Sequence, residues 1–203
     1  AVTLLALLSS LWALVGVWPR SWTFVPLIPL GLFIGISSVT SLREVVAPWL
    51  KRGQLGTSLI PMILATALVS GIGLYLWFTL TDPDVTRARA MVPEGSVLVL
   101  VVGGLIFSFV NAIVEEVIFR GVVLGAVASL IGDTWLPVII QAAVFGHAHF
   151  YGFPSGWSGV VLATAYGAIL GMMKRRSNGL AAPIAAHVFA DMTIFAILVQ
   201  FTA

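Results

Sequence analysis

The chain has 203 residues, of which 60% are hydrophobic and only 9% charged, and its mean hydropathy is +1.09. Soluble domains carry about 25% charged residues, so this composition excludes an ordinary water-soluble fold and specifies a polytopic membrane protein. The net charge of +2 rests on ten scattered basic residues, too few for a nucleic-acid surface, and the absence of Cys removes disulfides, thiolate nucleophiles and thiolate metal sites.

A membrane-spanning helix needs about 20 apolar residues, and polar punctuation divides the chain into such pieces. The opening run, 1–17, has neither a basic leader nor a small-residue cleavage site, and it reads as a first span rather than a signal peptide. A second span is expected over 24–42, followed by a polar loop over 43–57. The third covers 58–80, and the longest polar loop follows over 81–95. The fourth apolar piece, 96–131, would be about 54 Å long as a helix at 1.5 Å per residue, against a hydrocarbon core of about 30 Å. A bend or break is therefore expected within it, just after its charged motif near Arg120 and Gly121. Further spans are expected over 134–150, 157–173 and 179–201. The fold class is all-α: one integral membrane domain over 1–203, about seven or eight membrane helices, with 1–95 supporting the rest.

Five of the seven Trp (Trp18, Trp22, Trp77, Trp135 and Trp157) fall at expected span ends, where amphipathic rings favour the headgroup level. Trp12 lies inside a span. Trp49 sits in a loop, on an expected interfacial helix with Val45, Val46 and Leu50. If the spans alternate, Arg43, Lys51, Arg52, Lys174, Arg175 and Arg176 share one face of the membrane, opposite Arg20, Arg87 and Arg89. The basic excess marks the first face, with loops 43–52 and 174–176, as cytoplasmic. Gly31/Gly35, Gly121/Gly125 and Gly167/Gly171 have the spacing that lets two helix backbones approach closely, and they read as packing.

Few ionisable groups remain at membrane depth: Glu115, Glu116, Arg120, His147, His149, His187 and Asp191. A charge at a bilayer centre costs roughly 3 kcal/mol even on lenient scales, so each requires a partner. Glu116 and Arg120 are i,i+4 with the acid first, the favoured order for a helical ion pair, and serve equally as a helix clamp or as part of a site. Glu115 points about 100° away from Glu116, has no evident local partner and is expected to face a cavity. His187 and Asp191 are also i,i+4, as are Phe145 and His149. His147 points away from His149 and reads as a buried hydrogen-bonding group. Glu115, His149 and His187 on three helices point to one shared polar site. A carboxylate and an imidazole can hold a water and remove its proton, and a second imidazole can face the oxyanion of an attacked carbonyl. The chain contains no GxSxG elbow, no Cys and no HExxH, so water activated by Glu and His is the most economical hydrolytic chemistry. Two other readings stay open: a zinc shell of Glu115, His149 and His187, and the proton relay of a transporter or a binding scaffold.

Glu115-Glu116-x-x-x-Arg120, Phe145-x-x-x-His149 and His187-x-x-x-Asp191, in this order on successive helices, resemble the CPBP family. These are the CAAX-protease and bacteriocin-processing intramembrane enzymes, whose eukaryotic members include the Ras-converting protease. The resemblance covers 115–191. It implies a glutamate-dependent peptidase without a metal or other cofactor, cutting a membrane-associated protein or peptide at the lipid bilayer, here in the cell membrane of a prokaryote. By motif, Glu115 and His149 would activate the water, His187 and Asp191 would stabilise the oxyanion, and Glu116, Arg120 and Phe145 would orient the site. The last position is often Asn in that family. An ionised carboxylate repels an oxyanion, so Asp191 would have to carry a proton or act through His187.

Overall fold

The computed structural model describes residues 38–200, together with Gly31 and Gly35. The expected spans 1–17 and, but for its last residues, 24–42 lie outside the described residues, as do Trp12, Trp18, Arg20 and Trp22. Every element among the described residues is helical.

Helix α1 (Thr40–Val46) runs into a 3₁₀ turn at Ala47–Leu50. A second such turn, Thr57–Leu59, leads into α2 (Ile60–Thr81). Pro61 stands in its first turn, where a missing N–H costs nothing, and Asp82 ends it in the left-handed conformation at φ 43°. The short α3 (Thr86–Arg89) interrupts the expected loop. Helix α4 (Val97–Glu116) passes through a π-helical stretch, Val117–Val123, into α5 (Leu124–Ile131). Next come α6 (Leu136–Ala148) with a 3₁₀ turn at His149–Tyr151, α7 (Gly156–Ser177) and α8 (Ala181–Gln200).

Four helical runs are long and apolar enough to cross a membrane: Thr57–Thr81, Val97–Ile131, Gly156–Ser177 and Ala181–Gln200. The overlong piece is thus one run of 35 residues. Its irregularity is a π stretch, where the wider turn re-aims the side chains that follow. Helix α6 has 13 residues, about 20 Å of rise, and stops short of a full crossing.

Helix α8 packs on α2, α4 and α7, while α6 packs on α5 and α7. One apolar cluster joins the π stretch, α5, α6 and α7 through Ile118, Phe119, Val127, Phe145 and Ala163. Two others tie α2 to α8, through Leu59, Ile63 and Ala186 at one end and Leu74, Trp77 and Ile197 at the other. The 51–54 and 177–181 segments pair at the α7–α8 turn. Gln54 N–H donates to the Ser177 carbonyl, and Leu180 and Ala181 donate to those of Lys51 and Arg52, each at 2.9 Å. The two basic loops therefore meet at one end of the bundle.

Three expectations need correction. Trp49 is buried, packed with Val46 against Val122 and Ala126, rather than lying at an interface. Trp77 is also buried, donating to Ser158 Oγ at 3.0 Å and meeting the Phe153 ring edge-on; Trp135 and Trp157 are exposed as belt residues should be. Gly121/Gly125 and Gly167/Gly171 receive side chains as well as backbones, while Gly31 and Gly35 meet nothing within 4 Å among the described residues. A Cβ on Gly125 would stand 2.5 Å from Trp49 Cγ, and one on Gly171 would stand 2.7 Å from the Gln141 amide.

Candidate active site

The sequence places two carboxylates at the end of α4, and the fold buries both. Glu116 and Arg120 are fully enclosed, and Arg120 Nη1 donates to Glu116 Oε1 at 2.8 Å. The same oxygen meets His187 Nδ1 at 2.7 Å. Glu116 is therefore shared between Arg120 and His187 rather than committed to Arg120 alone. With Nδ1–H on a carboxylate, the other ring nitrogen of His187 is turned inward. Its Nε2 lies 3.6 Å from Glu115 Oε2 and 3.8 Å from Asp191 Oδ1. The closest partner of His187 is thus Glu116 and not Asp191, its neighbour one turn away.

Glu115 does have a local partner. Asn111, one turn earlier on α4, donates from Nδ2 to Glu115 Oε1 at 3.3 Å and to Asp191 Oδ2 at 3.2 Å. One amide thereby bridges two carboxylates from different helices. Glu115 Oε2 is buried and accepts no hydrogen bond. Glu116 Oε2 is likewise unbonded, but of the two residues only Glu115 stands on the cavity wall, which leaves its oxygen for other chemistry.

His149 reaches the same place from α6, where the α-helix tightens into a 3₁₀ turn. Its Nδ1–H donates to the Phe145 carbonyl at 2.9 Å. In the neutral ring this makes Nε2 the basic nitrogen. Phe145 is enclosed by site residues: its ring centroid is 4.5 Å from that of His149 and 6.1 Å from that of His187, and Arg120 Cζ stands 4.1 Å above it. Gly167 on α7 permits this, because a Cβ there would come within 3.0 Å of the Phe145 ring and 3.4 Å of Arg120 Nη2. Tyr166, beside it, sets its ring edge-on to His187 at 5.7 Å.

Glu115, Phe145, His149, His187 and Asp191 stand on the wall of a cavity of about 1280 Å³ between α2, α4, α7 and α8. The rest of its lining is largely apolar, with Phe107, Val110, Ile194 and Phe195 among it. Of the expected site residues, all seven gather here or directly behind. His147 does not: it is exposed on the opposite side of α6, so its expected burial is also corrected. Asn111, Tyr166 and Gln141 were not anticipated. Gln141 is fully buried and ties α6 to α7 by donating to the Gly167 carbonyl at 2.8 Å. The spacing of Asn111, four before Glu115, was the available signal.

Residues 96–193 match the family model described as type II CAAX prenyl endopeptidase Rce1-like. Over these residues, just under half of the chain, the sequence is similar to that family. Neither a curated protein nor a solved structure matches the chain. The matched stretch carries the cavity wall except for α2, the 88–93 segment and the end of α8 beyond residue 193. Together with its four spanning helices, the match makes the chain an integral membrane protein.

Proposed function

We propose that the chain is an intramembrane endopeptidase of the CAAX type, cutting a membrane-associated protein or peptide with a water activated by Glu115. The observation that carries this reading is the convergence of Glu115, His149, His187 and Asp191 on the wall of one largely apolar cavity. Glu115 Oε2 and His149 Nε2 hold the water and take its proton as it attacks the peptide carbonyl. The carbonyl oxygen becomes an oxyanion facing His187, which as an imidazolium keeps Nδ1–H on Glu116 and donates to the oxyanion from Nε2–H. Collapse of the tetrahedral intermediate breaks the C–N bond, and the proton held by the base passes to the leaving amine. Asp191 acts through His187, while Asn111 holds Asp191 and Glu115 in register. Glu116, Arg120 and Phe145 fix the His187 ring.

A zinc-dependent version would need Glu115, His149 and His187 on one ion. Among the described residues no three His, Cys, Asp or Glu side chains are grouped to hold a metal. In this reading the protein is one membrane domain of seven or eight helices in a prokaryotic cell membrane. Its basic loops 43–52 and 174–176 face the cytoplasm, as their number suggests.

The test is Glu115→Gln, assayed on a prenylated peptide ending in a CAAX sequence, with the released C-terminal fragment read by mass spectrometry. Loss of about 10²–10⁴-fold in rate is expected, in a protein that still elutes as a single species. Cleavage at an undiminished rate would overturn the mechanism.

A further inference from the structure

The end of the bundle where the two basic loops pair holds a second cavity, of about 850 Å³. Lys51, Arg52 and Arg176 line it, with Gln54, Ser58 and Asn178. No Asp or Glu does. The cations are carried on a rigid frame, because the backbone pairing of 51–54 with 177–181 is unusually close. Gly53 sits at φ +75°, and a Cβ there would stand 2.5 Å from the Ser177 carbonyl oxygen; a Cβ on Gly179 would collide with the Gly53 backbone. Neither glycine is replaceable without parting the loops, so the side chains on either side are held close together.

Arg175 shows what a compensated cation looks like at this end. It donates to the Thr134 carbonyl at 2.7 Å, meets Asp133 at 3.2 Å and stacks on Trp135. Lys51, Arg52 and Arg176 have no carboxylate partner among the described residues. Arg176 has only the Met62 sulfur, at 3.4 Å. Three like charges around one concavity repel each other, and an anion placed among them removes that cost while gaining amide and hydroxyl donors. A phosphate diester matches this set of groups. The cavity lies where two spanning helices end, which is headgroup depth. Along α2 from that end, Ile60, Leu64 and Leu68 are 50%, 57% and 65% exposed at i, i+4 spacing, an apolar track that suits acyl chains.

We propose that Lys51, Arg52 and Arg176 form a phosphate site at the membrane surface, filled by the headgroup of an anionic phospholipid. The site is separate from the cavity that carries Glu115 and does not depend on the proposed activity.

The test uses the purified full chain in neutral detergent, titrated with phosphatidylglycerol, phosphatidylcholine or inorganic phosphate, with retained lipid read by native mass spectrometry. Phosphatidylglycerol should bind in preference to phosphatidylcholine. Each interfacial cation is worth about fivefold in affinity for an anionic lipid, so Arg52→Gln with Arg176→Gln should weaken it by about 25-fold. Arg175→Gln should change little, since that charge is already engaged. Only the Arg52 carbonyl takes part in the loop pairing, so the side-chain change leaves the frame intact; should the double variant not elute as a single species, Lys51→Gln alone is expected to cost about fivefold. Unchanged retention in these variants, or an equal loss in Arg175→Gln, would overturn the site. Displacement of the lipid by millimolar inorganic phosphate would overturn the lipid as its occupant.

Discussion

Residues 97–110 and 115–127 belong to one helical run, yet they live in different surroundings. In the first part Val97, Leu98, Val101, Ile106 and Phe109 are all more than half exposed. In the second, every residue but Val117 is buried. The apolar residues of the two parts resemble one another; the charges do not, since Glu115, Glu116 and Arg120 all lie in the second. A helix facing lipid needs only to be apolar, whereas one that carries ions needs partners on every side. Here those partners are α6, α7 and α8, with the Trp49 turn closing the remaining side.

The sharpest way to break this contrast is to remove one charge from the enclosed half. Arg120→Met keeps the volume but leaves Glu116 with a hydrogen bond only from His187. Removing one partner of a buried pair costs about 3–5 kcal/mol, and the variant should unfold well below the parent temperature in detergent. A parent-like melting temperature would mean that His187 alone satisfies Glu116. Gly125→Leu attacks the packing instead. Its Cβ would meet the rigid Trp49 indole at 2.5 Å, and overpacking of this kind costs about 2–3 kcal/mol. The same change at Gly73, where nothing lies within 4 Å, should be far milder in the same melt.

Such contrasts also show what was legible in the sequence. Span positions were, because apolar length is a strong signal, and the strain in 96–131 was visible from its length alone. Whether an apolar residue meets lipid or protein was not, because hydropathy is the same for both; Trp49 and Trp77 were misplaced for that reason. Six of the seven site residues stood out because a charge or an imidazole in an apolar run is costly and rare; Phe145 entered only through its spacing to His149 and the family motif. Asn111 escaped notice because a neutral amide costs less at that depth, although its spacing to Glu115 is the one that marked the other pairs. Asn111→Leu tests its role. Both carboxylates lose a donor, at about 1–2 kcal/mol, which is roughly tenfold in rate. The loss should fall on kcat with KM little changed, and Asn111→Gln, which keeps the amide, should recover part of it. A parallel rise in KM would assign Asn111 to substrate contact instead.

The smallest effect belongs to the exposed half, and it decides what that half faces. Leu98 is 71% exposed and Val123 is 2% exposed. Val123→Ala opens a cavity in a packed core, at about 2 kcal/mol. Leu98→Ala removes more carbon but opens nothing, because an acyl chain moves into the space the side chain leaves, and a lipid tail is as apolar as leucine. Its cost should stay within about 0.5 kcal/mol. Both sites lie on one helical run, Leu98 in its α-helical first part and Val123 at the end of the π stretch. If Leu98→Ala proved as costly as Val123→Ala, the outer face of α4 would be covered by protein in the membrane, and the division of this helix into a lipid-facing and an enclosed half would fail.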